Sequence, residues 1–118
     1  MAVKLTIIEA RKVARWCKKQ LGLPHWKFRH YWDKPPNWAD VGQDDLGHSD
    51  PDLSICRAKI WVSLERHTTR QLAISTICHE YLHVFLMDRG VNDDNDLQHN
   101  IAYQQESTYA KAYMAGVK

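Results

Sequence analysis

The sequence predicts a single α+β domain over residues 1–118: an N-terminal helix, a small and mainly antiparallel sheet of about three strands, and two long C-terminal helices packed antiparallel. Three observations carry this. Apolar residues recur at helical spacing near the N-terminus and twice in the second half of the chain. Between these stretches, two runs alternate apolar and polar residues with the period of a strand. A length of 118 residues suits one hydrophobic core.

Thr6 opens the first helix as N-cap, and Glu9 three residues later completes a capping box. Ile7, Ala10, Val13, Ala14, Cys17 and Leu21 form its apolar stripe, and Gly22 and Pro24 end it. Arg11, Lys12, Arg15, Lys18 and Lys19 form its solvated face.

His25 to Asp33 alternates, with Trp26, Phe28, His30 and Trp32 on the buried face. His30 there reads as a packed, hydrogen-bonded residue. Lys34 to Asn37 is a turn, and a short strand is expected around Ala39 to Val41. Gly42 to Asp52 reads as a polar connection. Its His48, Asp44, Asp45, Asp50 and Asp52 do not have the spacing of an EF-hand loop. Ser54 to Leu64 is the clearest strand: Cys56, Ala58, Ile60, Val62 and Leu64 point inward, and Arg57, Lys59, Trp61 and Ser63 outward.

Thr68 or Thr69 caps a helix from about Arg70 to Arg89, which Gly90 ends. Mid-helix, His79-Glu80-Tyr81-Leu82-His83 spells HExxH. Residues i and i+4 lie on one helical face, so His79 and His83 can point two imidazoles at one metal ion. Nitrogen ligands in this arrangement suit Zn²⁺. Glu80, beside the first ligand, can act as general base toward a water at the metal. Ionisable side chains on a largely apolar helix need partners, and a metal would supply them.

Asp96 caps the last helix, from about Leu97 to Ala115, on which His99, Tyr103, Glu106, Ala110 and Tyr113 share one face. A short loop makes this helix the antiparallel neighbour of the HExxH helix, so that face can supply a third ligand. Leu86 and Arg89 stand where a metzincin needs Gly and His, which excludes that class. Glu106, 23 residues beyond His83, is the first candidate and His99 the alternative. Whichever does not bind the metal, or Tyr103 or Tyr109, can hydrogen-bond a developing oxyanion.

With HExxH and a downstream Glu in place, the chain resembles small phage and prophage metallopeptidases of the minimal gluzincin type. It is more distantly similar to SprT-like and ImmA/IrrE-type zincins. The resemblance is clearest from Ser54 to Ala115. It implies a minimal zincin fold, His79, His83 and Glu106 as zinc ligands, and Glu80 as general base. It also implies a peptide or protein substrate, and a cleft edged by the strand that precedes the HExxH helix.

A formal net charge of +2 argues against nucleic acid as partner. The N-terminus shows no signal-like apolar run, and nothing approaches the ~20 apolar residues of a membrane span, so a cytoplasmic protein is expected. Cys17, Cys56 and Cys78 lack CxxC spacing and read as reduced, mostly buried thiols. The other functional class open to the chain is a non-catalytic, zinc-stabilised interaction or regulatory module.

Overall fold

The computed structural model describes residues 4–33, 46–91 and 97–118. The strand expected around Ala39 to Val41, the residues Asp44 and Asp45, and the cap Asp96 lie outside them. The architecture is α+β, with three helices and a three-stranded sheet: α1 (Ile7–Gln20), β1 (Lys27–Tyr31), β2 (Gly47–Asp52), β3 (Arg57–Val62), α2 (Arg70–Asp88) and α3 (Leu97–Met114).

The Thr6 hydroxyl accepts from the Glu9 amide, as a capping residue should. Glu9 does not reach back to close the capping box. Its carboxylate instead takes two hydrogen bonds from Arg70, both 2.6 Å, and one from the Tyr113 hydroxyl at 3.2 Å, joining the three helices. Ala10, Val13, Ala14 and Cys17 are the buried stripe of α1, whereas Ile7 is exposed. The helix ends at Gly22 in the left-handed region, φ +63°.

The sheet is mixed, in the order β1-β3-β2, rather than mainly antiparallel. β1 runs parallel to β3, and β2 pairs antiparallel with β3. The second strand is Gly47–Asp52, which composition marks as a polar connection. Its inward positions are Gly47, Ser49 and Pro51, in register with Val62, Ile60 and Ala58. Small residues there leave no apolar alternation to detect, and the Pro is tolerated because β2 is an outer strand. β3 is therefore the centre of the sheet, not the edge that the resemblance implies.

β3 is also shorter than expected, because Leu64 belongs to a 3-10 turn. Trp61 is buried, although it points to the face opposite Ile60. Tyr31 stacks on it with centroids 5.0 Å apart, and His48 lies at 5.6 Å on the other side in register.

The core fills the space between the inner sheet face and the helices, and α2 runs through its middle. Its buried residues include Ala73, Ile74, Ile77, Cys78, Glu80, Tyr81, Leu82, Val84 and Leu86, which leave no wide polar face. A helix buried nearly all round is hydrophobic all round. Thr69 caps α2 by accepting from the Leu72 amide. Gly90, φ +85°, ends it with two tight bonds, Gly90 N–H to Met87 O and Val91 N–H to Leu86 O. On α1 and α2, Cys17 and Cys78 are buried with sulfurs 3.6 Å apart, and all three cysteines are free. No helix among the described residues is long and apolar enough to cross a membrane.

Candidate metal centre

His79 and His83 sit one turn apart on α2, with their Nε2 atoms 3.0 Å apart. The protonation of each ring follows from what its other nitrogen meets. His83 Nδ1 is 2.7 Å from Gln98 Oε1. The Gln98 amide nitrogen donates to the Val91 carbonyl at 3.0 Å, which fixes the amide with its oxygen toward His83. A carboxamide oxygen only accepts, so His83 carries its proton on Nδ1 and presents a lone pair at Nε2. His79 Nδ1 lies 3.8 Å from Glu106 Oε1, and a carboxylate there favours the same tautomer. Two Nε2 lone pairs thus converge. Without a proton or a cation between them they repel, and the tetrahedral bonds of about 2.0 Å that Zn²⁺ makes would set two nitrogens roughly 3.3 Å apart.

His99 on α3 completes a group of three. One ligand atom from each of His79, His83 and His99 lies within 4.8 Å of the others. The ring centroids of His79 and His83 are 5.1 and 5.6 Å from that of His99. His79 and His83 are half-buried, while His99 is exposed and opens the group to solvent on one side. The donor set fits Zn²⁺: three imidazoles, two preset as Nε2 ligands, with the His99 side exposed.

Glu106 is brought to the group, but against the far nitrogen of His79 rather than among the three converging atoms. The electrostatics favour a cation here. Burial opposes charge on His79, but the nearby Glu106 and Glu80 carboxylates outweigh it and raise the imidazole's pKa.

Glu80 is buried at 6% exposure. Burial pushes its carboxyl up to about 7, while His79 and a hydrogen bond from Ser49 pull the other way. The side of α2 that carries Glu80 lies against β2, where Gly47 approaches both Glu80 and Thr76.

Of the two tyrosines, Tyr103 is 67% exposed with its ring 6.4 Å from His99. Tyr109 is turned toward α1 and packs edge-on against Trp16. His30 is hydrogen-bonded to the Tyr81 hydroxyl at 2.7 Å and takes no part in the group. The buried stripe of α3 is Gln98, Ala102 and Ala110, which shares only Ala110 with the expected face, so His99 sits at its margin. Sequence reading passed over Gln98, Gly47 and Ser49. Gln98 gives a faint signal, a polar residue four before Ala102 on a stripe of small residues. Gly47 and Ser49 give none while their segment reads as a loop.

Comparison with family models, with curated proteins and with solved structures finds no match.

Proposed function

We propose that this chain is a zinc-dependent peptidase of the HExxH class, with His79, His83 and His99 as ligands, Glu80 as general base and Glu106 as the carboxylate that orients His79. One observation carries the reading. The two Nε2 atoms face each other at 3.0 Å while acceptors occupy the Nδ1 sides, an arrangement that favours a metal ion or a shared proton between them, and His99 adds a third imidazole to the group. Zn²⁺ bound there would supply Lewis acidity toward a water and a scissile carbonyl.

The chain's own groups account for the rest. Glu80 takes the proton of the attacking water and hands it to the leaving amine nitrogen. A base whose pKa is near neutrality is well matched to that exchange. Gln98 and Glu106 keep the imidazoles in the ligating tautomer. Tyr103, exposed beside His99, is the phenol available to a developing oxyanion. With β3 central, the substrate strand would add to β2, the outer strand that stands beside Glu80.

The test is zinc content and peptide hydrolysis of three variants. Glu80→Gln should keep one equivalent of zinc and lose hydrolysis by at least a hundredfold. His99→Ala should lose most zinc affinity, and Glu106→Gln only about ten- to a hundredfold of it. Undiminished cleavage by Glu80→Gln would refute the peptidase reading. Tight zinc binding by His99→Ala, with none by Glu106→Gln, would return the third-ligand role to Glu106.

A second reading, a zinc-stabilised interaction module, draws on the way the group joins α2 to α3. Metal at 100 times its Kd adds about 2.7 kcal/mol to stability. On that reading, chelation lowers the melting temperature by roughly 10 °C and no peptide is turned over.

A further inference from the structure

We infer that β2 is the positioning element for Glu80: Gly47 and Ser49, alternate residues on the inner face of one strand, together fix where its carboxylate lies. The inference rests on the general-base reading of Glu80.

Gly47 is not in the left-handed region, so its backbone suits any residue, and space decides what it can be. A Cβ at this position would meet Glu80 Oε2 at 2.9 Å, the Thr76 Cγ2 methyl at 2.8 Å and the Trp61 carbonyl oxygen at 3.2 Å. Real Cβ atoms essentially never come closer than 3.0 Å, so something would have to move. The Trp61 carbonyl belongs to the central strand and cannot. Thr76 is held as well. His67 Nδ1 faces the Ser63 carbonyl, which only accepts, so the imidazole proton sits there, and the Thr76 hydroxyl is held between His67 Nε2 at 2.7 Å and the Leu72 carbonyl at 3.1 Å. Burial keeps that imidazole neutral by lowering its pKa. The free end of this contact is the Glu80 carboxylate. Absence of a side chain at 47 thus lets the carboxylate lie against the strand, a recurrent reason for a strand glycine.

Two residues on, Ser49 points to the same face, in register with the buried Ile60. Its hydroxyl is the donor that this face offers Glu80, and it favours the charged carboxylate. One residue leaves the space and the other supplies the donor. A buried carboxylate has few other donors to choose its rotamer, and a displacement of about 1 Å in a catalytic group can cost on the order of a hundredfold in rate.

Two measurements test this, one without turnover. The first is a double-mutant cycle in melting temperature for Gly47→Ala and Glu80→Ala, both in a Thr76→Ser background that removes the neighbouring methyl. Gly47→Ala should destabilise strongly when Glu80 is present and much less when it is absent. Additive shifts would overturn the inference. The second is kinetic. Ser49→Ala should bind zinc within about threefold of wild type, keep KM and lose kcat about tenfold or more, and Ser49→Thr should restore most of it. A Ser49→Ala enzyme with full kcat would overturn the role of Ser49. Wild-type protein that binds zinc and cleaves nothing would instead overturn the peptidase reading, and the cycle would still decide whether β2 positions Glu80.

Discussion

At Gln98 a single amide does two things at once. Its nitrogen donates to the Val91 carbonyl and its oxygen accepts from His83 Nδ1. The Val91 carbonyl is where it is because Gly90 turns the chain at the end of α2. The helix stop thus reaches, through two hydrogen bonds, to the lone pair that would face a metal. Gln98→Ala should weaken zinc binding ten- to a hundredfold, as second-shell losses do, with little change in fold because Ala already lines the rest of that stripe. Competition against a chelating dye measures this, and wild-type affinity would refute it. The sequence made His83 legible through spacing alone. Gln98 was not legible, because its partner sits fifteen residues away on another element.

At the scale of elements, α2 is the one to which the others are fitted. α1 meets it through Cys17 and through Glu9, whose carboxylate takes the Arg70 guanidinium in a two-point pair. That pair lowers the Glu9 pKa chiefly through the Arg70 hydrogen bond and raises that of Arg70. Both side chains keep appreciable solvent contact, 37% for Arg70 and 27% for Glu9, which screens the attraction. Arg70→Ala should therefore destabilise by about 1 kcal/mol, a figure between an exposed pair and a buried one, read from the urea midpoint. The helices were legible because caps and periodicity are local. Strand β2 was not, since its inner positions are small and its outer ones charged or aromatic, and only pairing with β3 makes it a strand.

For the molecule as a whole, buried neutral histidines are one of the terms that make stability depend on pH. Burial, with a smaller effect from the Arg11 charge, pushes His30 down to about 4. Burial lowers His67 as well. Unfolded histidine titrates near 6.5, so between about 6.5 and 4 the unfolded chain takes up protons that the native chain refuses. The contribution is complete above 6.5, shrinks as pH falls through that window, and is gone below about 4. For the half-buried His30, discounted for solvent, it amounts to about 2 kcal/mol. Glu80, pushed up to about 7, and His79, also raised, take up protons in the native state over the same range and oppose this slope, so the effect of His30 is read as a difference between two proteins. The urea midpoint of metal-free His30→Gln, which keeps a partner for the Tyr81 hydroxyl, should gain on that of wild type as pH falls from about 6.5 to 4. A constant difference between the two midpoints across that range would contradict the assignment.

What the sequence by itself determined is what depends on near neighbours. The three helices, the N-caps of α1 and α2, the strand cores of β1 and β3, and the shared face of His79 and His83 with Glu80 beside them follow from short spacing and backbone geometry. What only the tertiary structure decided is what depends on which surfaces meet. The mixed strand order moved β3 to the centre of the sheet. The rotation of α3 about its axis brought His99 into the group of three and set Glu106 behind His79. Packing through Gln98, Ala102 and Ala110 fixes that rotation. The same packing laid β2 along Glu80, where a glycine in an apparently featureless polar segment has its reason.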